Sequence, residues 1–141
     1  MMSRVTRHFT LPVASTESVT DAKLFQYGKT ATLYFDYFVN GVAKRSGIRF
    51  EGVAAIQTRN ERFSSSHSIS SFDKLTEIHE SNWVSQIKQE IGDLYQDELI
   101  HFRHFVIYLD SVGSFEVLST GFDILPEELG SWESLQPATD N

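Results

Sequence analysis

The dipeptide Asn40-Gly41 lies between two alternating runs, Ala31 to Val39 and Val42 to Phe50, and this pattern restricts the fold more than any other in the chain. Asn-Gly in such a setting marks a two-residue hairpin turn, because both central residues must take positive φ. A turn of that length leaves one register: Val39 opposite Val42, Tyr37 opposite Lys44, Phe35 opposite Ser46, Leu33 opposite Ile48 and Ala31 opposite Phe50. Side chains alternate across a strand, so the aliphatic residues gather on one face. The other face receives Asp36 opposite Arg45 and Thr32 opposite Arg49.

Around this hairpin the same reasoning predicts further strands. Ala22 to Tyr27 enters it through a turn at Gly28-Lys29, and Val5 to Val13 is a further candidate. Gly52 marks a bulge or bend before Val53 to Arg59 continues the sheet. Residues 64–71 hold six serines with His67 and Ile69, which reads as an exposed, flexible loop. From Asp73 the apolar period becomes helical, with Leu75 and Ile78 and then Val84, Ile87, Ile91, Leu94 and Tyr95 on one face. Both Asp73 and Ser81 suit a helix N-cap, leaving either one long helix or a short turn followed by a main helix from Asn82. Phe102 to Leu109 and Phe115 to Phe122 then read as a second hairpin about residues 110–114. The acidic, polar tail 126–141, with Glu127-Glu128, is expected to form a short helical turn and a frayed end. The predicted fold class is α+β, a single domain over residues 1–141. Its mostly antiparallel sheet has about five to seven strands, with one main amphipathic helix inserted before a C-terminal β-hairpin.

Composition removes several kinds of chemistry. The 141 residues include no cysteine, which excludes thiol nucleophiles, thiolate zinc sites and cysteine-held iron–sulfur clusters. The richest apolar run, Phe105 to Leu109, falls far short of the roughly 20 residues that span a bilayer, so no membrane insertion is expected. The N-terminus has two arginines but no apolar signal-peptide region, and a cytoplasmic location is the default expectation. A formal charge of −7 argues against nucleic acid as a partner. That average conceals an asymmetry: residues 1–60 carry eight Lys/Arg against four Asp/Glu, and residues 61–141 carry four against fifteen. Either the two halves form opposed faces, and the molecule is dipolar, or the charges interleave on one surface.

No motif carries a catalytic or cofactor assignment. Gly28-Lys29-Thr30 resembles the end of a phosphate-binding loop, but Lys23 stands where that loop needs glycine, and a strand follows instead of a helix. His79-Glu80 fails as a zinc-protease helix because position 83 is Trp83. Glu98, His101 and His104 would share one face of a helix and converge on a metal, whereas on a strand His101 and His104 point to opposite faces. The expectation is therefore no metal and no cofactor. No Gly-x-Ser-x-Gly occurs for a serine hydrolase. Tyr34 and Phe38 fall on the hairpin face opposite Leu33 and Phe35. They are either buried by residues 5–13 or by the tail with Trp132, or they anchor a partner.

The run His104-Phe105-Val106-Ile107-Tyr108-Leu109-Asp110-Ser111-Val112-Gly113-Ser114-Phe115-Glu116-Val117-Leu118, together with Ile48-Arg49-Phe50-Glu51-Gly52-Val53-Ala54-Ala55, resembles small uncharacterised bacterial proteins. Some of these are similar to immunity proteins of polymorphic toxin systems. The resemblance rests on strand patterning and supplies no site residues. It implies a non-enzymatic protein-binding module that neutralises a basic toxin partner. Acidic residues of the second half, Glu77, Glu80, Asp93, Asp97 and Glu98, are the candidate contacts, with Tyr34 and Phe38 as aromatic anchors. Two alternatives stand beside it. One is a self-assembling domain that buries Tyr34 and Phe38 in a homo-oligomer. The other is an enzyme or a small-ligand or metal-binding protein using His101 and His104 in a pocket between sheet and helix.

Overall fold

The computed structural model describes residues 4–18, 21–60, 71–92, 101–110 and 112–132. Among the described residues, ten strands form two antiparallel sheets, with one α-helix and a short 3-10 turn at Ser15–Glu17 outside them. The strands are β1 (Val5–Thr10), β2 (Lys23–Tyr27), β3 (Thr30–Val39), β4 (Val42–Glu51), β5 (Ala55–Arg59), β6 (Lys74–Ile78), β7 (Arg103–Leu109), β8 (Gly113–Ser119), β9 (Gly121–Ile124) and β10 (Glu128–Leu129). The helix α1 spans Asn82–Ile91 between β6 and β7. The first sheet runs β1-β6-β7-β8-β5. The second runs β2-β3-β4, with β9 and β10 pairing in turn along the outer edge of β4.

The first hairpin has the register that its turn dictates, from Val39 opposite Val42 to Ala31 opposite Phe50. Asn40 and Gly41 both have positive φ, 51° and 78°, as a right-twisted two-residue turn requires. One face of this hairpin, with Ala31, Leu33, Phe35, Ile48 and Phe50, packs against Leu75, Phe105, Ile107, Phe115 and Val117 of the other sheet. Phe50 and Phe105 meet with ring centroids 5.8 Å apart. Each fully buried side chain of this size contributes about 1.5–3 kcal/mol of transfer free energy, so the inter-sheet layer is the main source of stability.

The mostly antiparallel α+β class stands, but the expected single sheet of about five to seven strands is instead two sheets, because the chain crosses from one to the other. The structure departs from the sequence expectations in four segments. Residues 74–78 are a strand and not the start of a helix: Leu75 faces the core, and the segment pairs with both β1 and β7. Its apolar spacing is ambiguous over five residues, and pairing on both edges decides it. Gly52, with φ 62°, does not let the same sheet continue. The chain crosses there, and β5 joins β8 in the first sheet. The predicted strand Phe115 to Phe122 breaks at Thr120 and crosses back, so Phe122 pairs with Phe50 of β4. The segment after Pro126 supplies β10 in place of a helical turn. The serine-rich loop lies outside the described residues except for Ser71, and so does the tail beyond Trp132.

Helix α1 starts where Ser81 caps it, its Oγ accepting from the Val84 N–H at 3.2 Å. Val84, Ile87 and Ile91 are half-buried, and the helix contacts β7 on the face turned away from the core. Among the described residues, no helix is long and apolar enough to cross a membrane.

Candidate functional site

Two polar clusters lie around the start of β7, on opposite faces of the first sheet. On the inward face, Arg103 donates from Nε and a terminal nitrogen to both oxygens of Glu77, at 3.1 and 2.8 Å. Glu77 also accepts from His8 Nε2 at 2.8 Å. Burial pushes the Glu77 pKa up, but the Arg103 and His8 hydrogen bonds outweigh it and hold the carboxyl below its ordinary range. On the outward face, beneath the N-terminus of α1, His104 bonds Ser81 Oγ through Nδ1 at 2.7 Å and Glu116 through Nε2 at 2.8 Å. A carboxylate only accepts, so Nε2 donates, and with the ring proton on Nε2 the Nδ1 accepts from the Ser81 hydroxyl. Burial raises the Glu116 pKa. Hydrogen bonds from His104 and Gln57 overcome this and lower it.

The Ser81–His104–Glu116 chain has the composition of a hydrolase relay, and its geometry defines another role. Ser81 is buried, and its oxygen already accepts the Val84 N–H that starts the helix. The relay locks the first turn of α1 to the sheet through a hydroxyl with no free position for a substrate. Among the described residues, no group of three or more His, Asp or Glu side chains is arranged to hold a metal ion.

The predicted contact residues are scattered. Glu77 is on β6, buried and engaged by Arg103 and His8, so it does not belong to an exposed helical face. Glu80 is exposed in the turn before α1. Asp93, Asp97 and Glu98 lie outside the described residues. Tyr34 is covered by the tail: Trp132 packs on it at 4.7 Å and donates its indole N–H to the Ser46 carbonyl at 2.9 Å. Phe38 remains 46% exposed. His104 is buried on β7, whereas His101 is exposed in the turn before that strand.

Sequence reasoning missed the edge formed by β9 and β10. Val42, Ile124 and Leu129 are exposed at 48%, 38% and 72% on one face of this edge, with Ile124 farther along β4 opposite Ile48, while Phe38 lies on the opposite face of the first hairpin. Lys44 pairs with Glu127, Arg45 with Glu128 and Arg49 with Asp123. The two charge-biased halves of the sequence therefore interleave here. In each pair the carboxylate is more exposed than its cation, 42% against 30%, 56% against 34%, and 65% against 45%. The signal available in the sequence was the pair Glu127-Glu128 beside Leu129, which lacked a strand assignment. No family model, no curated protein and no solved structure matches the chain.

Proposed function

We propose that this protein is a non-enzymatic binding module for a basic protein, and that a toxin it neutralises is the kind of partner that fits. The observation that carries the reading is the β9–β10 edge. Exposed Val42 and Leu129 share the Lys44 face of β4, with Ile124 farther along that face opposite Ile48. Glu127 pairs with Lys44 on that face, and Glu128 and Asp123 pair with Arg45 and Arg49 on the other face of the same edge, each carboxylate more exposed than its cation. Apolar anchors within a charged rim are the usual anatomy of a protein interface. Exposed carboxylates offer a basic partner complementary charge on contact. Surface pairs of this kind add at most about 1 kcal/mol of stability each, so their arrangement bears more on recognition than on folding.

The test is affinity capture from a lysate of the source organism with two tagged proteins in parallel. One is the native chain and the other carries Asp123→Lys, Glu127→Lys and Leu129→Ser. A stoichiometric basic protein retained by the first at low salt, released at high salt and absent from the second supports the reading. Equal recovery by both removes this edge as the interface. Phe38, exposed on the opposite face of the first hairpin, also favours a second reading, self-association through that face. A monomeric mass by light scattering at high concentration excludes it.

A further inference from the structure

A cavity of about 770 Å³ opens where the chain crosses between the two sheets, next to the start of β9. Val53, Ala54 and Phe102 form its apolar wall, and the ionisable residues lining it, Lys29, His101 and Arg103, are all basic. In a chain of net charge −7, a cavity lined, among the described residues, by three basic side chains and no carboxylate is a local reversal of sign. Its size falls within the range of small-molecule sites, about 300–1,000 Å³.

The backbone around it is already satisfied. The Val53 N–H donates to the Lys29 carbonyl, the Ala54 N–H to Leu118 and the Thr120 N–H to Glu51, at 2.8, 2.8 and 3.0 Å. Polar recognition therefore falls to side chains. Arg103 is engaged by Glu77, whereas Lys29 is exposed and forms no ion pair with any described residue. One unengaged ammonium, with an imidazole lining the same cavity, suits a single negative charge. A phosphate dianion calls for the paired donors of free guanidinium groups.

We propose that this cavity binds a small amphipathic carboxylate, its apolar body against Val53, Ala54 and Phe102 and its head group at Lys29 and His101. The probe is decanoate, titrated into the full chain and followed by two-dimensional NMR, with decanol and decyl phosphate in parallel. Saturable shifts centred on Val53, Ala54 and Phe102 are expected, with decanol bound at least about tenfold more weakly because it lacks the charge. Lys29→Glu is expected to weaken decanoate by a similar factor. Ala54→Trp, an exposed position that fills the cavity, is expected to abolish binding without a change in thermal stability. No saturable binding at millimolar decanoate, or shifts centred elsewhere, would overturn the site on the native chain alone. Equal affinity for decanol would overturn the role of Lys29, and tighter binding of decyl phosphate would overturn the carboxylate assignment.

Discussion

Replacing Ser81 by alanine tests whether the buried relay under α1 holds the helix to the sheet. The hydroxyl makes two bonds, accepting from the Val84 N–H and donating to His104 Nδ1. Loss of an N-cap costs about 1 kcal/mol. His104 is buried, so its orphaned Nδ1 adds about 1–3 kcal/mol of unmet desolvation. The expected total is about 2–4 kcal/mol, which for a chain of this size lowers the melting temperature by roughly 6–15 °C. Urea denaturation followed by circular dichroism measures it, with Ser85→Ala as comparator. That exposed hydroxyl bonds only the Ser81 carbonyl at 3.2 Å, and its loss is expected to stay within about 0.5 kcal/mol. A cost near 1 kcal/mol for Ser81→Ala would mean that the cap alone acts. A cost equal to that of Ser85→Ala would refute the anchoring role altogether.

Other substitutions probe the layers beneath and beside it. Leu33→Ala, at a fully buried position between the sheets, is expected to cost about 2–5 kcal/mol in the same denaturation assay. Gly113→Ala is expected to impair folding severely, because φ is 115° and a Cβ there would overlap the Arg59 carbonyl oxygen; Gly121→Ala, with open space around it, is the control. Glu77 and Glu116 have pKa values below the ordinary 4.5 in the folded state, so the stability they contribute is present above that value and lost as pH falls through the folded pKa. Stability is thus expected to fall on acidification below about pH 5, and Glu116→Gln to flatten that slope; an unchanged slope argues against the reasoning. Trp132→Ala removes the cover of Tyr34, a 2.9 Å hydrogen bond and the stacking of Arg45, at an expected cost of about 1–2 kcal/mol by thermal denaturation.

The fold was legible where a local signal also settles a long-range pairing. Asn40-Gly41 determines twenty residues of β3 and β4, because a two-residue turn has one register and only that register puts Leu33, Phe35, Ile48 and Phe50 on one face. The division into two sheets was not legible. A strand that changes sheets keeps its alternation, so nothing at Gly52 or Thr120 says whether the chain bends or crosses. The destination depends on pairing between residues far apart, such as Phe122 with Phe50 and Val117 with Ile56. Lys74–Ile78 failed for a related reason. Five residues with apolar groups at 75 and 78 satisfy either period, and only the edges of β1 and β7 select the strand.

Site residues were harder still, because charge in a sequence becomes recognition only after pairing. Glu77 read as an exposed acid and is instead consumed by Arg103 and His8. Glu127 and Glu128 read as tail residues and become the rim of an edge. The asymmetry between the basic first half and the acidic second half is real, yet β4 brings Lys44, Arg45 and Arg49 against Glu127, Glu128 and Asp123 and cancels most of it at that edge. What survives is radial, with carboxylates outermost. A partner that senses charge at a Debye length meets a surface near neutrality, and one in contact meets three carboxylates. Salt should therefore change the dissociation rate of a bound basic protein more than its association rate. Stopped-flow kinetics across a salt series separates the two, and a dominant effect on association would place the acidic field elsewhere on the molecule.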